Sequence, residues 1–131
     1  MNDCIFCKII KGEIPSKKVY EDDNVIAIMD VDPKVNGHTL IMPKKHVTDL
    51  IEMSSEDIIN VNTVAKKLVT RFMKKLDAKG VTCGINYGES QAVKHFHIHV
   101  LPNYLLGEEE IVDTDIIYDK KIGRASCRER V

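Results

Sequence analysis

The stretch His95-Phe96-His97-Ile98-His99-Val100 alternates three histidines with three apolar residues. Alternation of period two is the signature of a β-strand, whose successive side chains point to opposite faces. His95, His97 and His99 then share one face, and Phe96, Ile98 and Val100 the other. Burial in a core accounts for the apolar face. It does not account for the imidazole face, because three adjacent imidazoles gain nothing from packing that Val or Thr would not give. A lone histidine in a strand reads as structural; three in register read as a site.

Working outward, the histidine strand stops near Pro102, and Val81 to Tyr87 reads as the strand before it. Ile58, Val61, Ala65, Leu68, Phe72 and Leu76 repeat at helical spacing. Ser54 is the N-cap of that helix, Asp57 suits the positive end of its dipole, and Gly80 is expected to close it. Lys66, Lys67, Lys74 and Lys75 fall mainly on the solvated side. Further upstream, Cys4 to Lys11 reads as a short helix or turn closed by Gly12. Val19 to Glu21 and Val25 to Asp30 read as a hairpin around Asp22-Asp23-Asn24. His38 to Met42, after a polar turn containing Pro33 and Gly37, reads as a third strand that ends at Pro43. The sum is an α+β domain: a five-stranded antiparallel sheet with one long and one short helix. The long helix packs on one face, and the other face is free to carry the histidines.

The bulk numbers bound the function. A chain of 131 residues with 44% apolar and 30% charged residues is one domain with a real core. No apolar run approaches a membrane span, and the N-terminus lacks a signal-peptide pattern, so the expectation is a cytoplasmic protein without a membrane partner. A formal charge of −1 supplies no basic field, so nucleic acid is not an expected partner. An anionic ligand would have to be held by local donors.

The C-terminal ten residues look foreign. Residues 1–121 contain a single arginine, Arg71, whereas Ile122-Gly-Arg-Ala-Ser-Cys-Arg-Glu-Arg-Val131 contains three. The shift marks a junction near Lys121. The tail matches the in-frame translation of a common sequencing adapter, and it is set aside as one would a fusion scar. Without its three arginines and one glutamate the formal charge moves from −1 to −3. The domain is expected to span 1–121, with its natural C-terminus missing. Between Asn103 and Lys121 the chain is acidic and weakly patterned, with Ile111, Val112, Ile116 and Ile117 as candidate anchors.

Two chemistries suit three histidines on one face. Neutral imidazoles at i and i+2 chelate zinc with an open position for catalysis. Alternatively, an imidazole attacks a phosphorus centre while its neighbours fix its tautomer, bind phosphate oxygens and protonate the leaving group. Asn86, Gly88, Ser90 and Gln91 lie just upstream and offer neutral donors on a flexible backbone, as a phosphate cradle needs. His38, after Gly37, starts another strand, a position from which it could face the same site. This surrounding set favours phosphate chemistry. Cys4-Ile-Phe-Cys7 is a Cys-x-x-Cys, weak evidence alone, since zinc needs two further ligands and a redox site needs a thioredoxin-like context. Free thiols or a disulfide are the rival readings, the disulfide being disfavoured in a cytoplasm. Cys83 reads as a core residue of its strand.

His95-Phe-His-Ile-His-Val-Leu-Pro102 matches the histidine-triad pattern. In the same order along the chain stand Ile5-Phe6-Cys7-Lys8-Ile9-Ile10, Glu13-Ile14-Pro15, Val19-Tyr20-Glu21-Asp22-Asp23, Gly37-His38-Thr39-Leu40 and Pro43-Lys44-Lys45-His46. From about Cys4 to Asn103 the chain resembles the histidine-triad (HIT) superfamily, in the branch of nucleotide-binding phosphoramidases that carries an N-terminal Cys-x-x-Cys. The resemblance implies a homodimer acting on a purine nucleotide or nucleotide conjugate through a nucleotidyl-histidine intermediate. The implied activity is that of a purine nucleoside 5′-phosphoramidase. The alternatives are a dinucleoside polyphosphate hydrolase, a nucleotide-binding regulatory module with little turnover, or a zinc-dependent hydrolase built on the triad.

The resemblance also assigns roles. His97 is the implied nucleophile, His99 and Asn86 hold α-phosphate oxygens, and His38 orients or buffers the site. Gln91 assists at the phosphate or leaving group, and Asp30 accepts the ribose hydroxyls. Ile5, Phe6, Ile9 and Ile28 sandwich the base, with core packing the alternative for Ile9 and Ile28. Cys4, Cys7, His46 and His95 make a structural Zn2+ site, and no catalytic metal is required. The chain departs from the pattern between Gly88 and Val93. That turn is about two residues short and lacks a second glycine, Ala92 replaces a common hydroxyl residue, and Lys94 replaces an aromatic or apolar one.

Overall fold

Cys4 opens the first helix as its own N-cap: its Sγ accepts the Cys7 N–H at 3.4 Å, and α1 runs Ile5–Ile10. Gly12 then reverses the chain at φ 83, in the left-handed region that favours glycine. In the computed structural model, which describes residues 3–104 together with residues 117 and 118, strands β1 (Lys18–Glu21) and β2 (Val25–Met29) form the expected hairpin. Asp22 builds the turn by accepting the N–H groups of Asn24 and Val25 at 2.7 and 2.8 Å. Strand β3 (Thr39–Pro43) follows, then helix α2 (Ser55–Lys75), then β4 (Gly80–Ile85) and β5 (Ile98–Asn103). Ser54 caps α2, with Oγ accepting the Asp57 N–H at 3.1 Å.

The five strands form one antiparallel sheet in the order β1-β2-β3-β5-β4, so the histidine strand is inserted between β3 and β4. Period-two alternation divides the side chains between two layers. Val25, Ala27, Met29, Ile41, Phe96, Ile98 and Val100 pack in the main core with Val61, Val64, Ala65, Leu68 and Phe72 of α2. Ile26, Ile28, Leu40 and Met42 pack on the opposite side with Phe6 and Ile9 of α1. His99 and His38 have the parity of that second side. The short helix therefore covers part of the face expected to lie free.

Several boundaries differ from the sequence reading. Gly80 does not close α2. The helix ends at Lys75, where Leu76 turns extended (φ −114, ψ 153) and inserts into the core, and Gly80 begins β4. That strand stops at Ile85, short of Tyr87. Cys83 is exposed rather than in the core, because β4 is an edge strand that pairs only with β5. Ile58 is half-exposed at the start of α2, and Val64 takes the core position that the spacing pattern passed over.

The histidine strand is also shorter than expected: His95, Phe96 and His97 precede the ladder. The register Ile41↔Ile98 would place Pro43 opposite Phe96. Proline has no N–H to give, so pairing cannot extend. Phe96 instead donates its N–H to Val47 O at 2.7 Å. The segment stays extended enough to keep the alternation, with Phe96 in the main core.

Ile117 joins the main core, and Tyr118 donates its hydroxyl to Lys18 O at 2.8 Å. Ile111, Val112, Ile116, the junction near Lys121 and the tail 122–131 lie outside the described residues. Among the described residues no helix is long and apolar enough to cross a membrane.

Candidate active site and metal centre

His97 Nδ1 lies 2.8 Å from the carbonyl oxygen of His95. A carbonyl only accepts, so Nδ1 carries the proton and Nε2 carries the lone pair. The ring of His97 stands edge-on to Phe6 (centroids 5.0 Å apart, 89°) and to His99 (4.9 Å, 64°). Only 6% of the residue is exposed. Nε2 makes no hydrogen bond within the described residues, yet it is not among their fully buried, unpartnered polar atoms. The exposed fraction therefore includes that nitrogen. Burial pushes His97 below the ordinary histidine range, against the opposing pull of the His95 carbonyl and of Asp30. A neutral imidazole with one fixed N–H and one open lone pair is a nucleophile or a proton acceptor.

His99, on β5, continues the row. Its Nδ1 lies 3.0 Å from His38 Nε2, and its Nε2 lies 3.4 Å from the side-chain amide of Asn86. Burial, then the neighbouring His97 and His38, lowers its proton affinity. His38 sits at the entrance to β3. Its Nδ1 accepts the backbone N–H of Lys34 at 3.1 Å, and its Nε2 lies 3.5 Å from Asp30 Oδ2. Burial lowers His38 as well, opposed by the charge of Asp30. Gly37, at φ 89, brings the loop back so that Asp30 N–H reaches His38 O at 3.0 Å.

His97, His99, His38, Asp30 and Asn86 are thus joined in one continuous set of contacts. Phe6 abuts it, whereas Ile9 and Ile28 lie buried in the apolar cluster beneath α1 and Ile5 is 46% exposed. Gln91 faces elsewhere. Its amide nitrogen donates to Thr48 O at 2.6 Å and to Val93 O at 3.0 Å, so both amide protons hold the short loop in place. Lys94 donates to Gly88 O at 2.8 Å across the same loop, and Gly88 takes φ 84. The groups that sequence reasoning missed are backbone atoms: the His95 and Pro43 carbonyls and the Lys34 amide. No residue type announces where a main-chain donor or acceptor will point, so no sequence signal could have found them.

On the other side of His95 lies a second cluster. The ligand atoms of Cys4, Cys7, His46 and His95 all fall within 4.8 Å of one another. His95 Nδ1 is 3.6 Å from both sulfurs, and His46 Nδ1 is 3.2 Å from Cys7 Sγ. Tetrahedral zinc, with Zn–S about 2.3 Å and Zn–N about 2.0–2.1 Å, requires sulfur–nitrogen separations of roughly 3.5 Å. His95 Nε2 lies 2.8 Å from Pro43 O and must donate to it, which leaves Nδ1 as a bare lone pair aimed at the sulfurs. Burial and the adjoining Cys4 raise the Cys7 thiol, so two thiolates there call for a cation between them. The residues fit a closed Cys2His2 metal site. Asp30, His38 and His99 also come within 4.8 Å of one another.

Comparison with known proteins places these two centres in context. The sequence profile of the HIT domain matches residues 11–105. An uncharacterised HIT-like protein of Methanocaldococcus jannaschii is 45% identical over 111 residues, covering 83% of this chain and 84% of its own. An adenylylsulfatase of Arabidopsis thaliana is 36% identical over 103 residues, which are 77% of this chain and 52% of the plant protein. Among solved structures, a zinc-bound histidine triad family protein from Mycobacterium smegmatis superposes with a TM-score of 0.78 at 30% identity, covering 98% of this chain and 87% of that one.

Proposed function

The chain belongs to the HIT domain family, and from that membership we propose that it cleaves a purine nucleoside 5′-phosphoramidate through a covalent nucleotidyl-His97 intermediate. The observation that carries this reading is the tautomer of His97, with Nδ1–H tied to the His95 carbonyl and Nε2 open. Nε2 attacks the α-phosphorus and a P–N bond forms. The bond to the leaving group breaks, and the leaving amine departs with a proton taken from solvent, which the water of the next step gives back. Water then attacks the same phosphorus, the P–N bond to His97 breaks, and nucleoside monophosphate leaves with the ring restored. His99 and Asn86 hold the non-bridging oxygens, and His38 positions His99. Asp30 accepts the ribose hydroxyls. Phe6 and the exposed Ile5 hold the base, with Ile9 and Ile28 supporting them from beneath. The 46% exposure of Ile5, beside a Phe6 that touches His97, supports that placement.

Cys4, Cys7, His46 and His95 hold zinc in this reading. The site is closed, so zinc supplies rigidity to the His95 segment and takes no part in bond making. The reading includes a homodimer, which the exposed edge strand β4 and the 63% exposed Ile59 of α2 support. An adenylyl sulfate presents the same α-phosphate to His97, and the resemblance to the Arabidopsis adenylylsulfatase favours it as the second substrate class.

The deciding experiment is intact-mass measurement after rapid quench with an adenosine phosphoramidate. A transient adduct of one adenylyl group, mapped to His97, is expected. An adduct on another residue, or turnover with no adduct in the wild type and none trapped in slow variants, overturns the mechanism.

A further inference from the structure

The two histidine clusters have similar ligand geometry and opposite wiring. At the metal centre, the Pro43 carbonyl takes the His95 Nε2 proton and leaves Nδ1 bare among the sulfurs. At the catalytic centre the nearest main-chain group to His38 is a donor, the Lys34 N–H, 3.1 Å from Nδ1. A ring nitrogen that accepts cannot itself carry a proton, so neutral His38 is protonated on Nε2. That N–H points at His99 Nδ1, 3.0 Å away, with Asp30 Oδ2 further off at 3.5 Å. His99 Nδ1 must then accept, which puts the His99 proton on Nε2, the nitrogen beside Asn86. The nearest Asn86 atom is Nδ2, 3.4 Å away and itself a donor, so the two N–H groups make no bond to each other and both are left for an anionic oxygen.

We infer that the backbone N–H of Lys34 is a positioning group that fixes both tautomers, giving His99 an outward Nε2–H for an anionic oxygen and closing the Asp30–His38–His99 cluster to divalent metal ions. The second consequence follows from the first. Metal ligation needs a lone pair on the atom facing the ion. His38 Nε2 faces the cluster but holds a proton, and moving that proton to Nδ1 sets two N–H groups against each other at 3.1 Å. His99 Nδ1 has its lone pair committed to His38. The Pro43 carbonyl thus readies one histidine set for a metal, and the Lys34 amide keeps the protons of the other for phosphate. This inference deepens the proposed function by assigning the donor at His99, and its wiring stands on geometry that turnover does not enter.

The test reads proton positions directly. Long-range proton–nitrogen NMR of 15N-labelled protein, zinc-loaded at the cysteine centre and held at neutral pH, distinguishes protonated from bare ring nitrogens. Protonated Nε2 and bare Nδ1 are expected on both His38 and His99. A protonated Nδ1 on either ring overturns the inference, whether or not the protein turns over a phosphoramidate. Zinc titration supplies the second readout. The wild type and Lys34→Ala, which keeps the amide, should each stop at about one zinc per chain. Lys34→Pro removes the donor, and about one further equivalent, displaced by adenosine monophosphate, is expected in that variant. A second nucleotide-displaceable zinc in the wild type overturns the inference, even if Lys34→Pro fails to fold. An absence of tautomer change in folded Lys34→Pro does the same.

Discussion

Replacing His97 by asparagine and by alanine separates its structural task from its chemical one. In histidine, Nδ1 is attached to Cγ; in asparagine, Nδ2 is attached to the same atom. His97→Asn therefore keeps a donor for the His95 carbonyl, now satisfied at 2.8 Å, and removes Nε2. His97→Ala removes both. A residue that is only 6% exposed leaves a cavity on truncation. The orphaned carbonyl adds about 1–3 kcal/mol. The expected destabilisation is about 2–4 kcal/mol for alanine and about 1 kcal/mol for asparagine. At roughly 3–6 °C per kcal/mol for a domain of this size, the two melting temperatures should differ by about 5–15 °C. Both variants should lose at least about 10³-fold in turnover of an adenosine phosphoramidate, because both lack the proposed nucleophile. Their affinity for adenosine monophosphate, read by calorimetry, should change by less than about tenfold, which is 1.4 kcal/mol. Turnover within tenfold of wild type in His97→Asn would refute the covalent assignment. Equal melting temperatures for the two variants would refute the anchoring role of Nδ1.

Acid should destabilise the fold. Burial holds His38, His95, His97 and His99 below the ordinary histidine value in the folded state. The unfolded chain then binds protons first as pH falls below about 6.5, and each such proton removes stability at about 1.4 kcal/mol per pH unit until the folded value is reached. Chemical denaturation between pH 7.5 and 5 checks this, and a flat profile contradicts it. Metal analysis of protein purified without chelators should give about one zinc per chain, and Cys7→Ser should lower both occupancy and melting temperature; less than half an equivalent in the wild type would remove the zinc assignment. Gln91→Ala should cost about 1–3 kcal/mol, because it strands the Thr48 and Val93 carbonyls that its amide now serves. A variant of unchanged stability with altered leaving-group preference would show instead that Gln91 acts on substrate.

Most of the fold was legible in the sequence because each element carries a periodic pattern with its own stop signal. Ser54, the Asp22 turn and the apolar repeat of α2 each act through local chemistry, and local chemistry is what a sequence displays. The misses share a cause. Gly80 looked like a helix stop, but Leu76 left the helix earlier to reach the core, a tertiary demand that propensity does not express. The histidine ladder was cut short by a proline on a strand distant in sequence, through a register that only pairing reveals. In the site, the side chains His38, Asp30, Asn86, His97 and His99 were nameable in advance, and the structure brings them together. Gln91 was nameable too, yet its direction depends on carbonyls that no residue type announces.

His95 belongs to both centres at once. Its imidazole completes the cysteine-histidine cluster, and its carbonyl clamps the ring of His97 two residues on. The metal centre and the ring of His97 are thus coupled through one residue. A change at the two thiols would therefore be felt at His97 along two routes, through the His95 backbone and through Phe6, which lies between the cysteines and stands edge-on to that ring.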